Sequence, residues 1–284
     1  MNYICTIQDK KNKAKKIILA GTITLSLTII SYVSPINFNA FRYNITHNMV
    51  QNSKASIIQK LEDNSTNSPK IKEILSNIEL YPKELLELAS KKYETIDFVY
   101  NYPTNKNTFT NKKFSVESDY TPGKFPLFMQ WDERWGYDKY GNNFIAINGC
   151  GPTSLAMVIV GLTGNTDINP KVVADFSQKN GYYINNVGSK WSLMTEGAKQ
   201  FGLKSLELPL NESVILSTLK NEEPIVAIMG PGNFTTSGHF IVLTGITEDG
   251  KIIVNDCDSK INSKKTWDID IFMHETKKLW KFSI

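Results

Sequence analysis

The chain has 284 residues, of which 41% are hydrophobic, so it is long enough for two average domains or for one domain with extra elements. This composition excludes a chain that is disordered throughout. The formal net charge of +4 comes from residues 1–33, which hold five lysines and one aspartate. Because the rest of the chain is neutral overall, no nucleic-acid partner is expected.

Residues 1–33 have the arrangement of a secretory signal or of an uncleaved membrane anchor. A lysine-rich flank precedes the uncharged stretch 17–33, a pattern that is typical of export signals. At about 1.5 Å per residue a helix of this length reaches roughly 25 Å, the lower limit for crossing a bilayer. No small-x-small cleavage site follows it, which favours an anchor. Both interpretations predict a bacterial protein that is secreted or held at the cell surface.

Residues 34–68 are predicted to form a tether. They are rich in Asn, Ser and Lys and poor in aromatic residues, a composition that does not favour a packed core. One weak helix is expected near residues 55–61. The tether would separate the N-terminal signal or anchor from the elements that follow.

Residues 69–120 are predicted to be a helical segment followed by a linker. Pro69 and Pro82 mark the starts of two helices, each with apolar residues on one face, and the polar stretch 104–113 indicates the linker. The segment either packs against the domain that follows or acts as a spacer. A further hypothesis is that residues 34–120 are a pro-segment that blocks the active site.

Residues 121–284 have the composition of a compact domain in which helices come first and strands follow. Helices are predicted at 152–162, 170–178, 190–201, 212–220 and 268–274. Strands are predicted at 224–229, 239–246, 251–256 and 279–284. The Asp249-Gly250 pair is a hairpin signal between the second and third of these strands. This order predicts an α+β fold with helices packed on an antiparallel sheet.

Cys150 lies in the motif GCGPTSLAM, at the predicted start of the first helix of this domain. Pro152 fixes the backbone for a first helical turn. The free N–H groups and the positive end of the helix dipole there favour a thiolate, which is the nucleophilic form of cysteine. The flanking glycines leave room for a substrate carbonyl. The alternative is a small residue that simply packs at a helix start.

His239 begins a predicted strand after a glycine-containing loop, where a sheet edge could hold a catalytic base, although a structural role is the alternative. The hairpin through Asp249-Gly250 brings Asp256 back beside His239. A carboxylate there can bind one ring nitrogen and direct the other toward a thiol. Asn255 would take this role if the register slipped by one residue.

The chain resembles the papain-like cysteine peptidases of the bacterial C-thirty-nine-like group, relatives of the bacteriocin leader peptidases, over about residues 123–284. Four segments carry the resemblance, in order and spacing: FMQWDERWG, INGCGPTSLAMVIVGLTG, GHFIVLTGI and KIIVNDCDS. The resemblance implies a papain-like fold with Cys150 as nucleophile, His239 as general base and acid, and Asp256 as the residue that orients the histidine.

Gln130 is the residue that the resemblance implies for stabilising the oxyanion, together with the backbone N–H of Cys150. It lies 20 residues before Cys150, a longer interval than in the leader peptidases. The alternative is a structural partner of Trp131 and Trp135.

Cys257 stands where this group usually has proline after the aspartate. On a strand it is expected to point away from Asp256 and to pack without a chemical role, with a disulfide to Cys150 as the alternative. His47 and His274 lack the spacing of metal ligands. No metal or organic cofactor is expected.

The sequence thus predicts an exported cysteine peptidase that acts on a peptide or protein and contacts the membrane through 17–33 if this stretch is uncleaved. The alternatives are a cell-wall peptide amidase or transpeptidase on the same fold, and a surface-binding module without catalytic activity.

Overall fold

The computed structural model describes residues 54–108 and 112–284. Residues Ile57–Ile284 belong to one compact unit, which holds nearly all described residues. The predicted signal or anchor at 17–33 lies outside the described residues. In the part of the chain that the structure describes, no helix combines the length and apolar character needed to cross a bilayer.

Upstream of the compact domain, the described residues contain four α-helices, which we together call the helical segment. They are α1 (54–64), α2 (Pro69–Ser76), α3 (Lys83–Lys91) and α4 (Ile96–Asn105). Helix α2 begins with Pro69 at its first position, as the sequence predicts. Helix α4 contains Pro103 in its last turn, and the sequence did not indicate it as a helix.

The helical segment packs against the compact domain through a shared apolar core. The segment contributes buried side chains from all four helices, among them Ile57, Leu61, Ile71, Ile74, Leu85 and Phe98. The domain contributes Met129, Trp131, Tyr137, Phe144 and Ala146. The ring of Phe98 stacks on Tyr137 with 4.3 Å between centroids. The segment is therefore packed on the domain and is not a spacer, and α1, which falls in the predicted tether, contributes to the same core.

The compact domain contains short hairpins and helices as well as a larger sheet. The helices are α5 (Ile145–Asn148), α6 (Cys150–Thr163), α7 (Pro170–Lys179), α8 (Glu196–Lys199), α9 (Glu212–Lys220), α10 (Lys260–Ser263) and α11 (Ile269–Glu275). The two hairpins are β1 (Lys139–Tyr140) with β2 (Asn143–Phe144) and β3 (Tyr183–Ile184) with β4 (Gly188–Ser189). The helix predicted at 190–201 is broken into a 3-10 turn and α8, because the backbone of Thr195 is not helical (φ −113°, ψ −85°).

A six-stranded antiparallel sheet forms the other half of the domain. Its strands are β5 (Lys204–Leu208), β6 (Ile225–Met229), β7 (His239–Ile246), β8 (Ile252–Asn255), β9 (Thr266–Trp267) and β10 (Thr276–Ser283). Their order across the sheet is β5-β10-β6-β7-β8-β9. The turn between β7 and β8 uses Gly250 at φ 82°, as the hairpin signal predicts. The α+β class predicted from the sequence is confirmed.

Helices cover both faces of the sheet. Because side chains alternate along each strand, each strand contributes residues to both faces. One face packs on α6, whose residues Gly151–Val160 are all buried, through residues such as Val226, Phe240 and Trp280. The opposite face packs on α9 and α11 and includes Ile241. Helix α6 is therefore the central helix, held with its N-terminus at the sheet position where β7 begins.

Candidate active site

Cys150 is the first residue of α6, at the helix start that the sequence predicts, and it is partly exposed. Both neighbouring glycines are required by the protein's own packing. A Cβ atom on Gly151 would lie 2.4 Å from Oγ of Ser189 in β4, and one on Gly149 would lie 2.4 Å from the carbonyl oxygen of Ile145. The sequence analysis explained these glycines by the space that a substrate carbonyl needs. The structure adds a second reason, a packing requirement that the sequence alone did not indicate.

His239 is the first residue of β7, paired with Met229 of β6, and its side chain is only 7% exposed. The loop that leads to it is held on the sheet by the last residue of α11 and by a lysine of β10. The amide of Gly230 donates to the carbonyl of Glu275 at 2.6 Å, and Lys277 Nζ donates to the carbonyl of Ser237 at 3.0 Å. The imidazole is therefore presented by a strand whose entry loop is fixed at both ends.

Asp256 lies immediately after β8 and is paired with His239. Nε2 of His239 is 2.7 Å from Oδ1 of Asp256, within hydrogen-bond distance, and the carboxylate side chain is 1% exposed. Asn255 instead donates to the carbonyls of Phe125 and Pro126, both at 3.1 Å. The sequence left Asp256 and Asn255 as possible partners of His239, and in the structure Asp256 is the one that contacts the imidazole.

The electrostatics of this cluster favour a charged imidazole beside a charged carboxylate. Burial of His239 opposes its protonation, but the attraction and hydrogen bond of Asp256, together with a hydrogen bond to Cys150, raise its pKa to about 10. Burial of Asp256 opposes its ionisation, but the charge and hydrogen bond of His239 outweigh this and lower its pKa. Because Nε2 bonds Asp256, Nδ1 is the ring nitrogen that remains for the thiol of Cys150.

Several groups that the sequence did not single out fix the carboxylate of Asp256. Oδ1 also accepts the backbone N–H of Asp258 at 2.9 Å, and Oδ2 accepts Nδ2 of Asn262 at 2.8 Å. The backbone N–H of Asp256 donates to Oγ of Ser263 at 2.9 Å. These donors come from the turn after β8 and from α10. No sequence motif marks them, because a turn that folds back on its own aspartate is visible only in three dimensions.

Gln130 is buried near the start of α6. Its backbone N–H donates to the carbonyl of Cys257 at 2.8 Å, and its side-chain Nε2 donates to the carbonyl of Ala146 at 2.9 Å. The bond to Ala146 uses one of the two N–H groups on Nε2. Oε1 accepts the thiol of Cys257 at 3.6 Å, and this thiol is also 3.7 Å from the carbonyl oxygen of Cys150. Gln130 therefore lies near Cys150 in the fold, although 20 residues separate their positions in the sequence. The role of Gln130 in stabilising the oxyanion stays a prediction.

Cys257 is fully buried, and the predicted direction of its side chain was wrong. Its sulfur and the ligand atoms of His239 and Asp256 all lie within 4.8 Å of one another. The prediction assumed that β8 continues through Asp256, whereas the strand ends at Asn255 and the alternation of side chains ends with it. Both Cys150 and Cys257 are free thiols.

The same three residues, His239, Asp256 and Cys257, are the group of potential metal ligands among the described residues. A metal would need the thiolate of Cys257 and a free nitrogen on His239. Burial raises the pKa of the Cys257 thiol well above its ordinary range, and Nε2 of His239 is engaged by Asp256. The donor set thus fits a protein hydrogen-bond network better than a metal site, and the expectation of no metal stays a prediction.

A central helix that begins with a cysteine, packed on an antiparallel sheet that presents a histidine and an aspartate, defines the papain-like class of cysteine peptidases. The model of the Peptidase_C39 like family matches residues 123–282, more than half of the chain. The chain belongs to this family, and membership implies peptidase activity of the cysteine type on a peptide or protein substrate. No curated protein matches the chain.

Proposed function

We propose that this protein is an exported cysteine peptidase that hydrolyses peptide bonds through Cys150, His239 and Asp256. The observation that carries the proposal is the buried pair of His239 and Asp256, 2.7 Å apart, next to a partly exposed cysteine at the N-terminus of α6. The lysine-rich flank and apolar stretch of residues 1–33 support export.

In the first half of the reaction, the thiolate of Cys150, whose proton is held on Nδ1 of the His239 imidazolium, attacks the carbonyl carbon of the scissile bond. The C–S bond forms as the carbonyl oxygen becomes an oxyanion, which the second N–H of Gln130 Nε2 and the backbone N–H of Cys150 can stabilise. The tetrahedral intermediate collapses with cleavage of the C–N bond. His239 gives the proton to the leaving amine, which leaves a thioester on Cys150.

In the second half, His239 takes a proton from a water molecule whose oxygen attacks the thioester carbonyl. The C–S bond then breaks, the sulfur leaves as the thiolate beside the imidazolium, and the new carboxylic acid leaves. Asp256 stays ionised throughout and stabilises the imidazolium at the start of the cycle and again when water attacks. The peptide bond is cleaved by water with no net change in the enzyme.

The proposal is tested by incubating the full-length protein with a peptide library and sequencing the new N-termini. We expect cleavage by the wild-type protein and its loss in Cys150→Ala and His239→Ala. The matched control is His274→Ala, because His274 is exposed on α11 and its imidazole bonds the carbonyl of Asp270, so this variant should cleave like the wild type.

Other outcomes of this test would replace the proposal. Release of fragments only from purified cell wall, with no cleavage of library peptides, would identify an amidase. A new peptide bond formed between two substrates would identify a transpeptidase. Binding without turnover that is unchanged in Cys150→Ala would identify a binding module.

A further inference from the structure

The turn that carries Asp256 is contacted by the helical segment. We call residues 256–263 the triad loop; it contains the turn after β8 and helix α10. Two charged side chains, Lys92 and Glu94, reach it from the connection between α3 and α4. They lie more than 160 residues earlier in the chain, so the contact is entirely tertiary.

Lys92 is the counter-charge of a carboxylate inside the triad loop. Its Nζ forms an ion pair with Oδ2 of Asp258 and donates to the backbone carbonyl of the same residue at 3.2 Å. The other oxygen, Oδ1, is buried with no hydrogen-bond partner among the described residues. Burial raises the pKa of Asp258, and the charge of Lys92 opposes this rise. An ion that loses its partner in such a place must move toward water or take up a proton.

Glu94 holds the other half of the triad loop. Its Oε2 accepts the hydroxyl of Ser259 at 2.8 Å, and its Oε1 accepts the backbone N–H of Ile261 at 3.1 Å. Both donors are at the start of α10, the helix that carries Asn262. Removing the carboxylate of Glu94 therefore removes both of these hydrogen bonds between the helical segment and the start of α10.

The two contacts lead directly to the carboxylate of Asp256. Asp258, which Lys92 holds, donates its backbone N–H to Oδ1 of Asp256 at 2.9 Å. Asn262, on the helix that Glu94 holds, donates to Oδ2 at 2.8 Å. Each oxygen of the carboxylate therefore accepts one donor whose place depends on the helical segment.

We infer that Lys92 and Glu94 are positioning residues for the active site: the helical segment completes the triad loop and so orients Asp256 and, through it, His239. The inference deepens the proposed function and rests on it for the catalytic consequence. It is the opposite of the hypothesis that residues 34–120 block the active site. If the segment blocked the site, breaking its contacts would raise the activity.

The effect on Cys150 has a defined direction. In the described residues, the titratable groups that interact with the pair of Asp256 and His239 are Cys150 from α6 and Cys257 and Asp258 from the triad loop, and Lys92 acts on Asp258. A displaced Asp256 stabilises the imidazolium less, so the thiolate of Cys150 loses its counter-ion. Cys150 is then alkylated more slowly at neutral pH, as a thiol without a cationic partner is.

The test uses the full-length protein and measures alkylation of Cys150 by iodoacetamide against pH, with peptide mapping by mass spectrometry, beside kcat and KM on a cleaved peptide. The decisive pair is Glu94→Ala and Glu94→Gln. Both remove the same negative charge, but glutamine can keep both contacts, with its oxygen accepting the N–H of Ile261 and its NH2 group donating to Oγ of Ser259, whereas alanine removes both. If only the lost negative charge of Glu94 mattered, the thiolate of Cys150 would be favoured and the alkylation midpoint would move to lower pH. If the lost position of the triad loop matters, the thiolate is disfavoured and the midpoint moves to higher pH. The two explanations therefore predict opposite shifts for the alanine variant.

A second pair is Lys92→Met and Lys92→Arg, with Lys91→Met as control. Lys91 is the preceding residue, and its ion pair is with Glu87 on the same helix at 2.6 Å. The methionine variant at position 92 leaves Asp258 without a counter-charge, whereas arginine keeps the charge. Thermal unfolding of each variant is recorded. If Lys92→Met does not fold, the two variants at Glu94 decide the question.

We expect Glu94→Ala and Lys92→Met to shift the alkylation midpoint of Cys150 upward and to lower kcat by about 10²-fold with little change in KM. Glu94→Gln, Lys92→Arg and Lys91→Met should match the wild type. Equal profiles for Glu94→Ala and Glu94→Gln, or a downward shift, would overturn the inference. If the wild type cleaves no peptide but the alkylation shifts appear, the proposed function fails and the positioning role stands.

Discussion

Replacing Asp256 by asparagine removes the charge beside His239 and keeps the size of the side chain. In the wild-type protein the attraction and hydrogen bond of Asp256 are the largest favourable contributions that raise the pKa of His239 from 6.5 to about 10. At about 1.4 kcal/mol per pH unit, a rise of this size corresponds to roughly 5 kcal/mol of stabilisation of the imidazolium. Asparagine loses most of it, while the cost of burying the imidazolium remains.

The consequence for catalysis follows from the protonation state. With the pKa of His239 lowered, the imidazole is neutral at pH 7 and the thiolate of Cys150 has no counter-ion. Asparagine can also bond Nε2 as a donor, which selects the wrong tautomer. We expect kcat/KM at pH 7 to fall by about 10³- to 10⁴-fold. The alkaline limit of the activity, set by deprotonation of the imidazolium, should move from near pH 10 toward lower pH.

The assay is the pH dependence of kcat/KM for a cleaved peptide, recorded for the wild type and for Asp256→Asn. Thermal unfolding of both proteins serves as the control for folding. An Asp256→Asn variant that folds and keeps more than about a tenth of the wild-type activity at pH 7, with an unchanged alkaline limit, would refute the role given to Asp256.

Three further predictions concern packing around the site. Cys257 should resist iodoacetamide in the folded protein, because burial raises its pKa, and react once guanidinium unfolds the chain; equal rates in both states, measured by peptide mapping, would contradict its burial. Phe98→Ala should lower the free energy of unfolding in urea by about 3–5 kcal/mol, because Phe98 stacks on Tyr137 across the shared core; an unchanged midpoint would mean that the helical segment is not part of the folding unit. Gly151→Ala should cost about 1–3 kcal/mol and slow alkylation of Cys150, because its Cβ would lie 2.4 Å from Oγ of Ser189; full stability and reactivity would show that β4 yields freely.

The parts of the fold that were predictable from the sequence are those with local signals. A proline near the helix start and a continuous apolar run predicted α6, which is buried almost throughout. The Asp249-Gly250 turn predicted the hairpin of β7 and β8, and this hairpin brings Asp256 to His239. The central pair of the site could thus be placed because one tight turn joins the two strands that carry it.

The parts that were not predictable depend on contacts between distant residues. Helix α4 is rich in aromatic and β-branched residues and includes Pro103, so its helical state depends on packing against the domain. Strand β5 is a sheet edge that pairs with the C-terminal strand β10, and its own residues are mostly exposed, so no alternation marks it. The contact of Lys92 with Asp258 joins residues 166 positions apart and has no sequence signal.

The most direct test of the account is the pH dependence of iodoacetamide alkylation at Cys150 in the full-length protein, compared with His239→Ala. Cys257 in the same digest is the internal reference for a buried thiol. We expect Cys150 to be alkylated faster at neutral pH than a free thiol, which ionises at about pH 8.5, and we expect His239→Ala to remove this advantage. An ordinary thiol profile in both proteins would contradict the claim that His239 activates Cys150.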